Sequence, residues 1–246
     1  MIFAVMLPNA RCLSAVLVVC LCCAGPALAQ LPPNMRSYQV VLMRKGPAWT
    51  AEPPDAAALQ AQAAYLQRLE AGKTLLAAGD IDDTSELAAV LLLDLPAKAD
   101  AERLIAEDPR VKANRLTPLV LEWFAEKGIG QGYLERRAAN PGAAVPADRL
   151  QFGLLMRGPN TAERTQERAA EVQKGHIANL AAMHAAGLLV AAGPFGDGGD
   201  YRGIVVFRSG SYDAVFDAVA KDPAVRSGRL VLRLYRWTVP EGVFKG

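Results

Sequence analysis

The sequence predicts an α+β fold: two ferredoxin-like βαββαβ modules whose sheets pack as a pseudo-twofold unit. Three observations carry this. First, residues 79–123 and 193–237 match at a constant offset of 114, pairing Gly79 with Gly193, Asp108-Pro109 with Asp222-Pro223, Arg115-Leu116 with Arg229-Leu230 and Trp123 with Trp237. One register held over so many uncommon residues is the mark of a duplicated unit. Second, each copy alternates short apolar runs with Ala- and Leu-rich stretches punctuated by Gly and Pro. Third, helices in a split βαβ module cover one face of its sheet, so the bare face needs a partner, and the sister module supplies one.

In the first copy, Tyr38 to Met43 is apolar and partly β-branched and runs into Gly46-Pro47, which reads as a strand entering a loop. Asp55 to Ala71 reads as a helix, with Asp55 as N-cap after Pro53-Pro54 and Gly72 as stop. Thr74 to Ala78 and Leu87 to Leu93 are strands separated by a loop over 79–86, Lys98 to Glu107 is a helix ended by Asp108-Pro109, and Thr117 to Trp123 is the last strand. The second copy repeats the order with Gln151 to Met156, Thr161 to Ala186, Leu188 to Ala192, Gly203 to Arg208, Ser211 to Lys221 and Val231 to Trp237. The modules are placed at 36–125 and 149–240, and the Gly- and Pro-bearing stretch 126–148 reads as a linker.

Residues 1–29 read as a cleaved secretory signal. A weakly positive start precedes the apolar run Leu13 to Cys23, which is too short to span a bilayer, and Ala27-Leu28-Ala29 supplies the small-x-small pattern. The expected location is periplasmic or secreted. Cys12, Cys20, Cys22 and Cys23 all lie in that segment, so thiol nucleophiles and cysteine metal sites are excluded from the mature chain. A lipid-anchored cysteine is the competing reading, though Val19 and the flanks of Cys22 and Cys23 fit a lipobox poorly. The whole sequence carries a formal net charge of +2, and the signal removes only Arg11, leaving +1 with signs interspersed. That distribution gives no nucleic-acid footprint. No later apolar run reaches membrane-spanning length.

The second copy resembles the YCII-related family through Leu155-Met156-Arg157-Gly158-Pro159, Gly175-His176-Ile177-Ala178-Asn179-Leu180, Ala191-Ala192-Gly193-Pro194-Phe195 and Lys221-Asp222-Pro223-Ala224-Val225. The first is similar through Gly46-Pro47-Ala48-Trp49-Thr50, Leu75-Leu76-Ala77-Ala78-Gly79 and Glu107-Asp108-Pro109-Arg110-Val111. The resemblance implies small ferredoxin-like modules paired as dimeric α+β barrels, with a His plus Asp site. It also implies kinship with isomerases, lyases and monooxygenases that act on small, often aromatic, molecules. The family histidine carries over to His176 and the aspartate to Asp222. In the first copy Ala61 or Gln62 stands where the histidine would be, and neither shuttles a proton, although Asp108 persists.

His176 shares a helical stripe with Leu180, Met183 and Gly187, which points it towards the sheet. A histidine with an orienting carboxylate works as acid or base near neutral pH. The bland alternative is a packed histidine bonded to a backbone carbonyl. Asp222 before Pro223 has its own structural reading as a turn and cap, strengthened by Asp108 in the copy without histidine. Asp197 and Asp200 are the alternative carboxylates. Arg157, Pro194, Asp200 and Trp237 are candidate substrate contacts, with rim and sheet-interface roles as alternatives for Arg157 and Trp237. His184 reads as a solvent-edge residue. The expected activity is cofactor-independent acid–base chemistry of isomerase or lyase type on a small organic ligand, with no metal site. The rival is a non-catalytic binding or structural module with a decayed site. Further oligomerisation is left open.

Overall fold

The computed structural model describes residues 31–52, 54–81, 85–141, 143–160, 165–197 and 199–244. The predicted signal with its four cysteines lies outside them. So do residues 82–84 of the first predicted loop and 161–164 at the start of the predicted long helix.

Each half of the chain contributes one four-stranded antiparallel sheet. The first sheet contains β1 (Met35–Lys45), β2 (Leu75–Asp80), β3 (Leu87–Leu93) and β4 (Leu116–Glu126) in the order β2-β3-β1-β4. The second contains β5 (Ala147–Arg157), β6 (Leu189–Pro194), β7 (Tyr201–Phe207) and β8 (Leu230–Pro240) in the equivalent order β6-β7-β5-β8. The helices are α1 (Ala56–Ala71), α2 (Lys98–Ile105), α3 (Pro109–Lys112), α4 (Gln131–Ala139), α5 (Gln166–Ala185), α6 (Tyr212–Val219) and α7 (Pro223–Arg226).

Alternation along the strands builds three apolar layers, because successive side chains point to opposite faces. Tyr38, Val40 and Leu42 point between the sheets and meet Phe152, Leu154 and Trp237 in one core. Val41 and Met43 point outwards under α1 and α2, where Tyr65, Leu69 and Ile105 pack on them. Leu155, Val205 and Phe207 do the same under α5 and α6 with Leu180, Met183 and Val215. The sister sheet therefore covers each bare face.

The sheets also meet edge to edge, which face-to-face packing alone does not require. Trp123 on β4 bridges to Phe195, and Ile81 bridges to Trp237 on β8, both antiparallel. Trp123 Nε1 donates to Gly193 O at 3.0 Å and Trp237 Nε1 to Gly79 O at 3.2 Å. All these pairs obey the offset of 114 found in the sequence. Glycine is needed at both seams: a Cβ on Gly79 would sit 2.1 Å from Thr238 O, and one on Gly193 would sit 1.9 Å from Phe124 O. Eight strands thus surround a shared core, and joining edges removes the unpaired backbone that open sheets expose.

Local signals place the helices well. Asp55 accepts from Ala58 N at 2.8 Å at the start of α1, and Ser211 caps α6. The expected break at Asp108-Pro109 is present, but each Asp-Pro also starts a further short helix, α3 or α7, with proline at the first helical position. The predicted linker requires correction. Residues 126–148 contain α4, whose Tyr133 is buried in the inter-sheet core. Its glycines mark the turn into the helix: Gly130 takes φ 80°, a left-handed value suited to glycine, so composition alone concealed a packed element.

Candidate functional site

Helix α5 begins at Thr165, whose hydroxyl accepts from Arg168 N at 3.3 Å, and buries His176, Leu180 and Met183 along one stripe. Helix α7 crosses it at Gly175. A Cβ there would lie 2.7 Å from Pro223 Cγ, so the missing side chain lets the helices approach. Asp222 caps α7, with Oδ1 accepting from Ala224 N at 2.8 Å. Its other oxygen, Oδ2, lies 2.6 Å from His176 Nδ1. The sequence aimed His176 at the sheet. The structure turns it to the N-terminus of α7 on the sheet's outer face.

The pair is sheltered, with 11% of the His176 side chain and 3% of the Asp222 side chain exposed. An ionised carboxylate only accepts, so the short contact assigns the proton to Nδ1 and leaves Nε2 as the ring's acceptor. Among the described residues Nε2 makes no hydrogen bond.

The first module holds the corresponding pocket of bonds without histidine. Gln62, at 176 minus 114, donates from Nε2 to Asp108 Oδ2 at 3.1 Å. Asp108 is fully buried and caps α3 through Arg110 N at 2.7 Å. The Arg110 guanidinium fills the remaining space, bonding Asp108 at 3.3 and 3.4 Å and approaching Asp80 at 3.7 Å, where the second module has Ala224. Of the two residues the sequence left open, Gln62 is the equivalent. Arg110 was missed, although its offset partner Ala224 is readable in the sequence.

The other candidates lie elsewhere. Arg157 and Asp200 bond each other at the end of β5, by Arg157 N to Asp200 O at 2.7 Å and by an ion pair at 3.5 Å, both side chains well exposed. Pro194 ends β6 opposite Gly203. Asp197 pairs with Lys98 of the first module. Trp237 is 1% exposed in the core between the sheets, so the second sheet separates it from His176. Among the described residues no three His, Cys, Asp or Glu side chains assemble as metal ligands, and no helix is long and apolar enough to cross a membrane.

A cavity of about 70 Å³ opens beside α5, lined by Ile177, Leu180, Ala181 and His184 of that helix. His176 is not among its lining residues. The exposed His184 therefore faces a concavity that reading the helix by itself did not reveal.

Residues 154–238 match the model of the YCII-related domain. That stretch contains both His176 and Asp222. No curated protein matches the chain. The structure resembles chlorite dismutase from Candidatus Nitrospira defluvii. An arginine-to-lysine variant of that protein gives a TM-score of 0.54 at 11% identity, covering 84% of this chain and 91% of that one. The chlorite dismutase of that organism in complex with imidazole gives 0.52 at 12% identity, with 84% and 92% covered. At such identity the likeness carries the two-module barrel fold and nothing of the chemistry. In the YCII-matching stretch, the short Nδ1–Oδ2 contact on the barrel's outer face is the feature with chemical potential.

Proposed function

We propose that the second module is an acid–base site, in which His176 moves a proton on a small organic molecule while Asp222 holds the ring. The observation that carries this reading is the buried His176–Asp222 contact at 2.6 Å, with Nε2 free of protein partners among the described residues. Nε2 takes a proton from carbon or oxygen of the ligand, Asp222 balances the imidazolium, and the proton returns to another ligand atom or to water. This describes an isomerisation, or an elimination in which a leaving group departs as the proton is taken. The first module, with Gln62 and Arg110 on Asp108, acts as scaffold. We place the activity in the periplasm or outside the cell, following the signal-like residues 1–29.

The rival reading is a structural clasp, supported by the same Asp-Pro cap in the module without histidine and by the cavity's lying beside rather than at His176. Solvent exchange separates the two. In D2O, a carbon-acid base should exchange α-protons of small enolisable ketones and carboxylates, seen as loss of their proton NMR signals, and His176→Gln should abolish this. Equal exchange by both proteins rejects the acid–base reading and leaves the clasp.

A further inference from the structure

The two modules meet at two equivalent seams, but among the described residues only one is plugged. At the first, α4 packs over the turn after β8 (Glu241, Gly242, Val243). Gly130 N donates to Val243 O at 2.7 Å and Tyr133 N to Gly242 O at 3.0 Å. Tyr133, 3% exposed, sends its hydroxyl to Glu70 Oε1 at 2.6 Å, and a Cβ on Gly130 would sit 2.8 Å from Leu76. A phenol on an α4 side chain thus fills this seam and donates to a residue of the last turn of α1.

Shifting the residues of the open cavity by 114, forwards from the first half of the chain and backwards from the second, gives this same seam. Its lining includes Lys127, Gly128 and Ile129 after β4, Leu180 and His184 on α5, and Val190 on β6. Their equivalents are Glu241, Gly242, Val243, Leu66, Glu70 and Leu76. Gly128 and Gly242 even share left-handed φ values of 94° and 91°. Among the described residues none takes the place at the second seam that Tyr133 takes at the first. His184 stands where Glu70 stands, and its ring has no hydrogen-bond partner among the described residues.

We propose that the cavity at the second seam binds a small single-ring phenol, its ring against Ile129, Leu180 and Val190 and its hydroxyl donating to the His184 ring. The occupant's chemistry follows from Tyr133, the group the fold already uses to fill the equivalent space. The unprotonated nitrogen of an imidazole accepts a hydrogen bond from a phenolic hydroxyl as the Glu70 carboxylate does. The volume is about half of the roughly 150 Å³ that holds a benzene ring. One ring therefore enters in part, with the rest in the mouth beside Glu126 and Lys127. The site is separate from the His176–Asp222 contact: the two histidines are eight residues apart on α5, roughly 12 Å along the axis.

The test is an NMR titration of the protein with phenol and, separately, with toluene. Phenol should shift the His184 ring signals and the amides of Ile129 and Val190 saturably, and toluene should bind at least fivefold more weakly. Ala181→Trp, on the exposed face at the mouth, should abolish the shifts. His184→Ala should bring phenol down to the affinity of toluene. His176→Gln should leave binding unchanged, so failure of the acid–base reading does not touch this result. Shifts that survive Ala181→Trp, shifts confined to other parts of the barrel, or equal binding of phenol and toluene each overturn the proposal.

Discussion

Gln62 and His176 occupy the same position in the two modules, and each bonds the aspartate that caps the following short helix, Asp108 at 3.1 Å and Asp222 at 2.6 Å. The backbone at this position accepts an amide as readily as an imidazole. His176→Gln should therefore change stability by less than about 1.5 kcal/mol, whereas His176→Ala, which strips a buried carboxylate of a partner, should cost about 1–3 kcal/mol. Urea unfolding of the three proteins measures both. Equal losses in the two variants would mean that glutamine does not restore the bond.

The tautomer has a spectroscopic signature. A ring N–H directed at a carboxylate over so short a distance gives a proton resonance far downfield. Asp222→Asn keeps a good N-cap for α7 and so the fold. It removes the charge, and the downfield signal should move upfield or vanish by exchange. An unmoved signal would assign it to another group.

Closure of the barrel depends on close approach at Gly79 and Gly193. Alanine at either position drives a methyl into backbone oxygen, which no rotamer relieves, so each variant should lose about 1–3 kcal/mol or more. Trp123→Phe and Trp237→Phe leave the carbonyls of Gly193 and Gly79 without the indole donor and should cost about 1–3 kcal/mol each. Thermal unfolding tests all four. Wild-type stability in the glycine variants would show that the seams yield cheaply.

Three buried tyrosines set an alkaline limit, Tyr38 among them, whose phenol burial raises. Burial first, then the neighbouring charge of Asp108, raises the Tyr65 phenol. Burial first, then the hydrogen bond to Glu70, raises Tyr133. The folded state thus favours the neutral phenol. Its stabilisation is complete below the ordinary tyrosine value of about 10 and is lost as pH rises from there through the raised folded-state value. Stability should fall above about pH 10, and Tyr65→Phe should flatten that slope by up to about 1.4 kcal/mol per pH unit. Urea unfolding across this range gives the slopes, and unchanged slopes in the variant would show that Tyr65 ionises normally.

Much of the architecture was legible along the chain because its causes are local. Asp55, Ser211 and the two Asp-Pro pairs are caps whose bonds span two or three residues, and the apolar runs Tyr38 to Met43 and Gln151 to Met156 lie within β1 and β5. The offset of 114 carried further still: it aligned Trp123 with Trp237 and Gly79 with Gly193, the residues that form the two seams. The sequence by itself thus determined the two ferredoxin-like modules, the order of their elements and their shared bare face, and it offered His176 with Asp222, Asp197 or Asp200 as candidate partners. Only the tertiary structure decided the rest. It chose Asp222 over Asp197 and Asp200 as the partner of His176, because both loop carboxylates are engaged by Lys98 and Arg157. It folded residues 131–139 into a helix despite the surrounding glycines, because burying Tyr133 outweighs a loop-like composition. It also placed His184 at a cavity, since a concavity exists only where two distant surfaces meet and leave a space unfilled.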